Sequence, residues 1–310
     1  MSEKKFRLVT RSDFDGLVCA VLLREINLID EIKFVHPKDM QDGKIEITAN
    51  DITTNLPYVE GAHLVIDHHA SEIERVGQHA NYVIDATAPS AARVVWRHFG
   101  GKEAFPTISD EMMEAVDKAD SAQYCKADIL APGGWTLLNF IMDARTGLGR
   151  FRDFRISNYQ LMMELIEYCR NHNIEQILAL PDVKERVELF LDQQWKFIDQ
   201  LDDTTTLNGK VAIVDLRDEE VIYAGNRFMV YALYPEALIS IHVIWGLRKQ
   251  NTVLACGRSI LNRRAKTNIG TMMLELGGGG HGAAGTCQIE NDRVDAVLAE
   301  LVAKINANEG

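Results

Sequence analysis

The feature that most constrains the fold is an alternation of short β-rich runs with helical patterns along the first hundred residues. Residues 6–10 have the composition of a strand, residues 11–16 that of a loop, and the mostly apolar residues 17–26 that of a buried helix. Parallel strands need a crossover connection, usually a helix, so this alternation is typical of a parallel, doubly wound sheet. We therefore predict an α/β fold that begins with such a sheet.

The next residues continue this pattern and then become helical. Further strands are predicted at residues 32–35, 44–48, 63–66 and 82–84. A helix is predicted over residues 89–99, where Gly100-Gly101 ends it. Residues 109–200 are predicted to be mostly helical, with Ser109 as the first N-cap.

A change of pattern near residue 202 predicts a second domain. The polar run 202–209 interrupts the helical pattern. New strands are then predicted at residues 211–215, 238–245 and 252–256. We assign residues 1–201 to a first domain, residues 202–209 to a linker, and residues 210–310 to a smaller α/β domain.

Composition limits the partners and the compartment. The chain has 33 Lys and Arg against 45 Asp and Glu, a net charge of −12, which disfavours long duplex DNA because that partner needs a basic face. Its five cysteines include no Cys-x-x-Cys pair, so we expect mostly buried thiols in a reducing compartment. No stretch approaches the ~18 apolar residues of a membrane span, and the first residues lack a secretory signal pattern. We expect a cytoplasmic protein with no membrane partner.

Acidic residues and histidines follow several of the predicted strands. In open α/β sheets, ligands bind beyond the carboxyl ends of the strands. The residues at these predicted ends are Asp13, Asp15, Asp51, Asp67, His68, His69 and Asp85. A single Asp would mean little, since Asp is common in turns, but repetition at one edge of the sheet predicts a site there.

Two of these clusters each allow two interpretations. Asp13 and Asp15 form either an Asx turn with a helix N-cap or a pair of oxygen ligands for two neighbouring divalent cations. In the second case, Gly16 lets the backbone approach closely. The succession Asp67-His68-His69 is either a solvated surface pair of imidazoles or a group that binds metal or phosphate.

Helical geometry separates Asp117 from Asp120. The apolar face of this helix is formed by Met112, Met113, Val116 and Ala119. Asp120 lies within about 50° of the centre of that face and Asp117 about 110° away, at about 100° per residue. A carboxylate that points into a core is costly unless it is paired or ligates a metal. We therefore assign Asp120 to the site and treat Asp117 as a solvated or supporting residue.

The second domain contains a glycine-rich segment around one histidine. Four successive glycines precede His281, and they form either a flexible loop or a backbone cradle for an anion at a helix start, with His281 as a donor. Upstream, Arg258 and Ser259 end a predicted strand. The guanidinium suits phosphate, and a structural arginine is the alternative.

In their order and spacing, these motifs resemble the DHH phosphoesterases that carry a DHHA1 domain. This group contains nanoRNases, RecJ-type exonucleases and cyclic-dinucleotide phosphodiesterases. The resemblance is carried by Ser12-Asp-Phe-Asp-Gly16, Asp51, Asp67-His-His69, Asp120 and Gly277-Gly-Gly-Gly-His-Gly-Ala-Ala-Gly285. It covers almost the whole chain and implies a DHH domain followed by a DHHA1 domain, with the active site in the cleft between them.

The resemblance also implies roles for individual residues. Two Mn²⁺ ions, replaceable by Mg²⁺ or Co²⁺, would be held by Asp13, Asp15, Asp51, His68 and Asp120. Asp51 would bridge the ions, Asp67 would orient an imidazole, and His69 would face the scissile phosphate. The rest of the nucleotide would be held by Arg258, Ser259, Gly279, Gly280 and His281.

The implied activity is metal-assisted hydrolysis of phosphodiester or phosphomonoester bonds in short nucleotides. The candidate substrates are nanoRNA, linear dinucleotides and 3′-phosphoadenosine 5′-phosphate. Hydrolysis of pyrophosphate or polyphosphate is one alternative, although the glycine-histidine segment resembles a nucleotide-handling domain. A nucleotide-binding regulator with weak catalysis is the other, and a homodimer is left open.

One position departs from the family pattern. Many members have a histidine ligand four residues before the first Asp of the loop, and here that residue is Val9. Arg11 also brings a cation close to the expected metals. We predict either a weaker metal site or a substitute ligand, for which His36 is the candidate.

Overall fold

The computed structural model describes residues 5–151 and 153–310. The strands are β1 (Phe6–Arg11), β2 (Ile29–Val35), β3 (Asp51–Thr54), β4 (Leu64–Asp67), β5 (Tyr82–Ile84), β6 (Thr205–Asn208), β7 (Val211–Asp215), β8 (Ile239–Trp245), β9 (Thr252–Arg258), β10 (Gly279–His281) and β11 (Ala284–Ile289). The helices are α1 (Phe14–Glu25), α2 (Pro37–Gln41), α3 (Ala70–Val76), α4 (Ala91–His98), α5 (Asp110–Asp120), α6 (Lys126–Leu130), α7 (Gly134–Met142), α8 (Asn158–Asn171), α9 (Ile174–Leu178), α10 (Pro181–Thr204), α11 (Met229–Leu233), α12 (Ile269–Glu275) and α13 (Val294–Glu309). Short 3₁₀ helices lie at Gly101–Glu103, Ala144–Thr146, Leu148–Arg150 and Leu247–Lys249.

The chain forms two compact units. The N-terminal unit consists of Met1–Gln123, Gly133–Ala144 and Gly149–Glu188. The C-terminal unit consists of Tyr124–Pro132, Arg145–Leu148 and Leu189–Gly310. Helix α10 therefore belongs to both units. The predicted linker, residues 202–209, contains the end of α10 and strand β6.

The N-terminal unit is built on a five-stranded sheet in which all strands are parallel. Their order is β2-β1-β3-β4-β5. The predicted parallel α/β architecture is confirmed. Because the strands are parallel, their carboxyl ends meet at one edge, and β1 and β3 flank the point where the strand order changes direction.

One predicted strand of this sheet is wrong. Residues 44–48 have no regular structure, and the strand that pairs with β1 is Asp51–Thr54. The alternating Ile45 and Ile47 pack onto an apolar cluster without joining the sheet. Strand β3 was missed because three of its four residues are polar, although all four are buried and Thr54 bonds to Thr10 within the sheet.

Helix α1 lies in the core, and the short loop between β1 and α1 lies at the carboxyl edge of the sheet. Every residue from Phe14 to Leu23 is buried, and α1 packs against α4, α5 and α8. At Gly16 a Cβ atom would lie 2.0 Å from the carbonyl oxygen of Arg11, so only glycine fits. The close backbone approach predicted for this glycine is therefore observed.

The C-terminal unit contains a six-stranded mixed sheet. The strand order is β10-β11-β9-β8-β7-β6, in which β7 and β8 are parallel and the other neighbours are antiparallel. Helices α12 and α13 contribute to its apolar core. The predicted second α/β domain is confirmed, while β6, β10 and β11 were not predicted.

Two expectations about thiols and membranes can be compared with the structure. All five cysteines are free, and all but Cys125 are buried, which confirms mostly buried thiols. Within residues 5–151 and 153–310, no helix has the length and apolar character needed to cross a membrane.

Candidate metal centre

Three side chains converge at the carboxyl edge of the N-terminal sheet. Asp15 comes from the first turn of α1, His68 from the residue after β4, and Asp120 from the end of α5. One ligand atom from each lies within 4.8 Å of the others. We call this group the metal cluster.

Asp15 is held rigidly by the start of α4. Its two carboxylate oxygens accept hydrogen bonds from the backbone N–H groups of Ala91 and Ala92, at 2.9 and 2.8 Å. Burial, followed by repulsion from Asp120, raises the pKa of Asp15 above its usual range. A cation beside these carboxylates would relieve that repulsion.

His68 has the orientation expected of a metal ligand. Its Nδ1 donates to the carbonyl oxygen of Ala88 at 3.2 Å, which turns Nε2 toward the two carboxylates. Nε2 lies 3.0 Å from Asp120 Oδ2 and 4.0 Å from Asp15 Oδ2. This buried nitrogen makes no hydrogen bond of normal geometry within the described part of the chain.

The protonation of the metal cluster follows from these contacts. Burial lowers the pKa of His68, but the Asp120 and Asp15 carboxylates outweigh it and raise the pKa to about 9. Burial likewise raises the pKa of Asp120, and the neighbouring His68 outweighs it, so that the pKa of Asp120 is lowered. Without a metal, a proton on the imidazole balances the carboxylates. Two carboxylates and one imidazole are donors that fit Mn²⁺ or Mg²⁺, and a metal would replace that proton.

Asp13 has a different environment from Asp15. It is the N-cap of α1, and its Oδ1 accepts from Gly16 N at 3.0 Å and from Asn55 Nδ2 at 3.1 Å. Its Oδ2 lies 2.8 Å from Arg11 Nε. The capping interpretation therefore describes Asp13, whereas Asp15 turns toward the metal cluster.

Asp51 lies at the opposite edge of the sheet and is a correction to the expected bridge. It begins β3, so it sits at the amino end of that strand, beside Arg7 at the start of β1. Arg7 Nε is 2.7 Å from Asp51 Oδ1, and Thr48 N donates to Oδ2 at 2.6 Å. The misplaced strand at residues 44–48 caused the error, because it put Asp51 after a strand instead of at the start of one.

Asp67 and His69 form a pair beside the metal cluster. His69 Nδ1 lies 2.8 Å from Oδ1 of the fully buried Asp67. Burial lowers the pKa of His69, but Asp67 outweighs it and the pKa is raised. The two rings of His68 and His69 meet edge to face, with centroids 4.5 Å apart.

Other polar residues of this edge have structural contacts. Asp117 accepts from Ser90 Oγ at 2.7 Å and binds Arg93, so it is not a solvated residue. Asp85 binds Arg97. His36 is exposed and caps α2 by accepting from Lys38 N. Residues 5–151 and 153–310 contain two groups of metal-capable side chains, the metal cluster and the group of Asp67, His68 and His69, and His36 belongs to neither.

In the C-terminal unit, Arg258 and Ser259 bond to their own chain. Arg258 Nε donates to the carbonyl oxygen of Thr267 at 2.7 Å, and Nη2 donates to that of Lys266 at 2.9 Å. Ser259 is buried, and its Oγ accepts from Asn262 N at 2.9 Å. These contacts are those of structural residues, the alternative interpretation of Arg258.

The glycine-rich segment is a β-hairpin and not the start of a helix. Strand β10 pairs with β11, and we call residues 277–285 the glycine hairpin. At Gly280, whose φ is +155°, a Cβ atom would lie 2.3 Å from the carbonyl oxygen of Ala284. Gly279 has open space around it. Exposed His281 lines a surface depression with Asn268 and Thr271, near the start of α12.

Sequence reasoning missed Asn55 and the backbone donors of Ala91 and Ala92. Asn55 follows β3 at the carboxyl edge, and correct placement of β3 would have drawn attention to it. The backbone donors have no signal in residue type. They follow from the packing of α4 against α1.

Comparison with known proteins identifies the family. Neither protein-family profiles nor curated protein sequences give a match. Among solved structures, the chain is similar to the pGpG-specific phosphodiesterase PggH from Vibrio cholerae, with 58% identity, a TM-score of 0.88, and coverage of 98% of this chain and 100% of that one. It also resembles RecJ in complex with Mn²⁺ from Thermus thermophilus, with 13% identity, a TM-score of 0.55, and coverage of 97% of this chain and 52% of that one, which shows a shared fold. With this identity to a phosphodiesterase over nearly the whole of both chains, the protein belongs to the DHH/DHHA1 phosphoesterases that its motifs resemble.

Proposed function

We propose that this protein hydrolyses the phosphodiester bond of a linear dinucleotide of the pGpG type, with Mn²⁺ as the cofactor. The metal cluster of Asp15, His68 and Asp120 is the observation that carries the proposal. The substrate class is supported by the identity to a pGpG-specific enzyme. Mn²⁺ fits a ligand set of oxygens and one imidazole.

The metal ligands would hold the cation, and the imidazole of His69 would act as the proton donor. A bound divalent cation stabilises negative charge that develops on the phosphate. Asp15 and Asp120 would supply the charge that holds the cation, and His68 would present Nε2 to it. His69 keeps Nδ1 on Asp67 and has a raised pKa, so the imidazolium form would face the scissile phosphate with Nε2–H. As water adds to phosphorus and the bond from phosphorus to the leaving oxygen breaks, Nε2 would give its proton to that oxygen. Asp67 is thus a positioning residue.

A substrate panel tests this function. The purified protein is incubated with Mn²⁺ and with pGpG, other linear dinucleotides, RNAs of three to five nucleotides, 3′-phosphoadenosine 5′-phosphate and pyrophosphate, and the products are separated by chromatography. We expect pGpG to be cleaved to GMP with the highest kcat/KM. Preferred cleavage of pyrophosphate or of longer RNA would contradict the proposal, and binding of pGpG without turnover would indicate a regulator.

The compartment is part of the proposal. Free, mostly buried thiols suit a reducing cytoplasm. Thiol titration of the protein isolated without reductant should find all five cysteines free, and a disulfide would contradict the reducing compartment.

A further inference from the structure

The carboxylate of Asp13 is already neutralised by groups of this chain. Its Oδ2 lies 2.8 Å from Arg11 Nε, and its Oδ1 accepts from Gly16 N and Asn55 Nδ2, at 3.0 and 3.1 Å. A carboxylate that ligates an ion turns its lone pairs to that ion, whereas these face three nitrogen donors. Asp13 is also outside both groups of metal-capable side chains in residues 5–151 and 153–310.

Within the described residues, neither β1 nor β3, the strands next to Asp13, places a further carboxylate at this edge. The carboxylate at the end of β4, Asp67, is bonded to His69, and its metal-capable group with His68 and His69 shares His68 with the metal cluster. Val9, four residues earlier on β1, is fully buried in an apolar cluster. Asn55 stands at the carboxyl end of β3, which pairs with β1. Two neighbouring divalent cations repel each other and need negative charge between them. The amide of Asn55 is uncharged, whether its oxygen or its nitrogen faces the site, so it does not supply that negative charge.

Arg11 places a fixed positive charge at this position. It is the last residue of β1, and 33% of its side chain is exposed. A guanidinium here would repel a second divalent cation and attract a phosphate oxygen.

We propose that this chain binds one divalent cation, at Asp15, His68 and Asp120, and that Arg11 replaces a second cation by holding a non-bridging oxygen of the scissile phosphate. The residues present do not fit the pair of ions implied by the family resemblance. The role of Arg11 rests on the proposed function, because it requires a phosphodiester substrate. The number of ions does not depend on the substrate.

Metal counting tests the first half of the inference. Mn²⁺ binding to the full chain is measured by equilibrium dialysis with metal analysis and by electron paramagnetic resonance. We expect one tight ion per chain with the spectrum of isolated Mn²⁺, and none in His68→Ala. Two tight ions per chain, with the spectrum of a coupled pair, would overturn the single-ion assignment.

Variants of Arg11 test the second half. We expect Arg11→Ala to keep one Mn²⁺ and the wild-type circular dichroism but to lose about 10- to 150-fold in kcat/KM for the dinucleotide, as for one charge-assisted hydrogen bond. Arg11→Lys should recover part of this loss. Arg97→Ala is the matched control, because Arg97 also pairs with an Asp that follows a strand of this sheet, Asp85, at 2.9 Å.

The outcomes separate this inference from the proposed function. Wild-type kcat/KM in Arg11→Ala, with normal values in Arg97→Ala, would overturn the role of Arg11. A second tight ion in Arg11→Ala would likewise overturn it, because Arg11 would then only prevent binding at a second metal site whose ligands are all present. Failure of the wild-type protein to cleave any dinucleotide would contradict the proposed function and leave the metal count as measured.

Discussion

Polar side chains differ in how fully they are hydrogen-bonded at the metal cluster and beside the glycine hairpin. At the metal cluster, His68 Nε2 is buried without a hydrogen bond of normal geometry in the described part of the chain, and the carboxylates of Asp15 and Asp120 repel each other. Beside the glycine hairpin, Arg258 donates to two carbonyl oxygens and Ser259 Oγ accepts a backbone N–H group. Buried polar groups are normally satisfied, so a buried imidazole nitrogen without such a bond, beside two carboxylates, is a place where a cation would complete the contacts.

Removal of a metal ligand should have the largest effect. We expect Asp120→Ala to lose tight Mn²⁺ binding and about 10³-fold in kcat, since metal stabilisation of the transition state is worth several kcal/mol. Binding is measured by calorimetry and turnover by chromatography. Glu114→Gln removes an exposed carboxylate from the same helix and should behave as wild type. Equal losses in both variants would show a general effect on α5 instead of loss of a ligand.

The pH dependence of metal binding should be the next largest effect. His68, with its pKa raised to about 9, carries a proton at neutral pH that the metal must displace. Affinity for Mn²⁺ should therefore rise with pH, by at least about tenfold per unit between pH 6.5 and 8.5, because His68 and, below its own raised pKa, Asp15 release protons to the solvent. Calorimetry in buffers of different ionisation enthalpy measures the released protons. Binding without proton release at pH 7 would contradict the protonation of the metal cluster.

Asp51 should affect stability and not catalysis. Asp51→Ala leaves Arg7 and the Thr48 backbone without their acceptor, which should lower the free energy of unfolding by about 1–3 kcal/mol. We expect kcat at saturating Mn²⁺ within about twofold of wild type, as for a group outside the chemical step. Urea unfolding and turnover are compared in the same preparation. A large loss of kcat with unchanged stability would restore Asp51 to the site.

The smallest effects should separate Arg258 from His281. Arg258→Ala removes donors to the carbonyl oxygens of residues 266 and 267 and should lower the melting temperature by a few degrees. His281→Ala, on an exposed strand, should keep the melting temperature but raise KM for a dinucleotide about tenfold, with less effect on a chromogenic phosphodiester. If Arg258→Ala raised only KM, Arg258 would be a substrate ligand as the family resemblance implies.

Much of the fold could be predicted because it depends on local pattern. Strands β1, β4 and β5 lie within one residue of their predicted bounds, while β2 and α1 each begin three residues earlier than predicted, and glycine or proline marks several element ends. Strand β3 could not be predicted, because Asp51, Thr53 and Thr54 are polar residues buried by pairing with neighbouring strands. Burial of such residues depends on contacts that are distant in sequence.

For the site, the sequence by itself determined which residue types could bind a metal, and the tertiary structure decided which of them meet. Asp15, His68 and Asp120 follow from their motifs, and the structure brings them within 4.8 Å. Asp51 carries the same carboxylate but lies at the other edge of the sheet, beside Arg7. The physical reason is that the two ends of a β-strand lie several residues apart, at about 3.3 Å per residue. An error in placing β3 therefore assigned Asp51 to the edge with the metal cluster, whereas it forms a structural ion pair at the other edge.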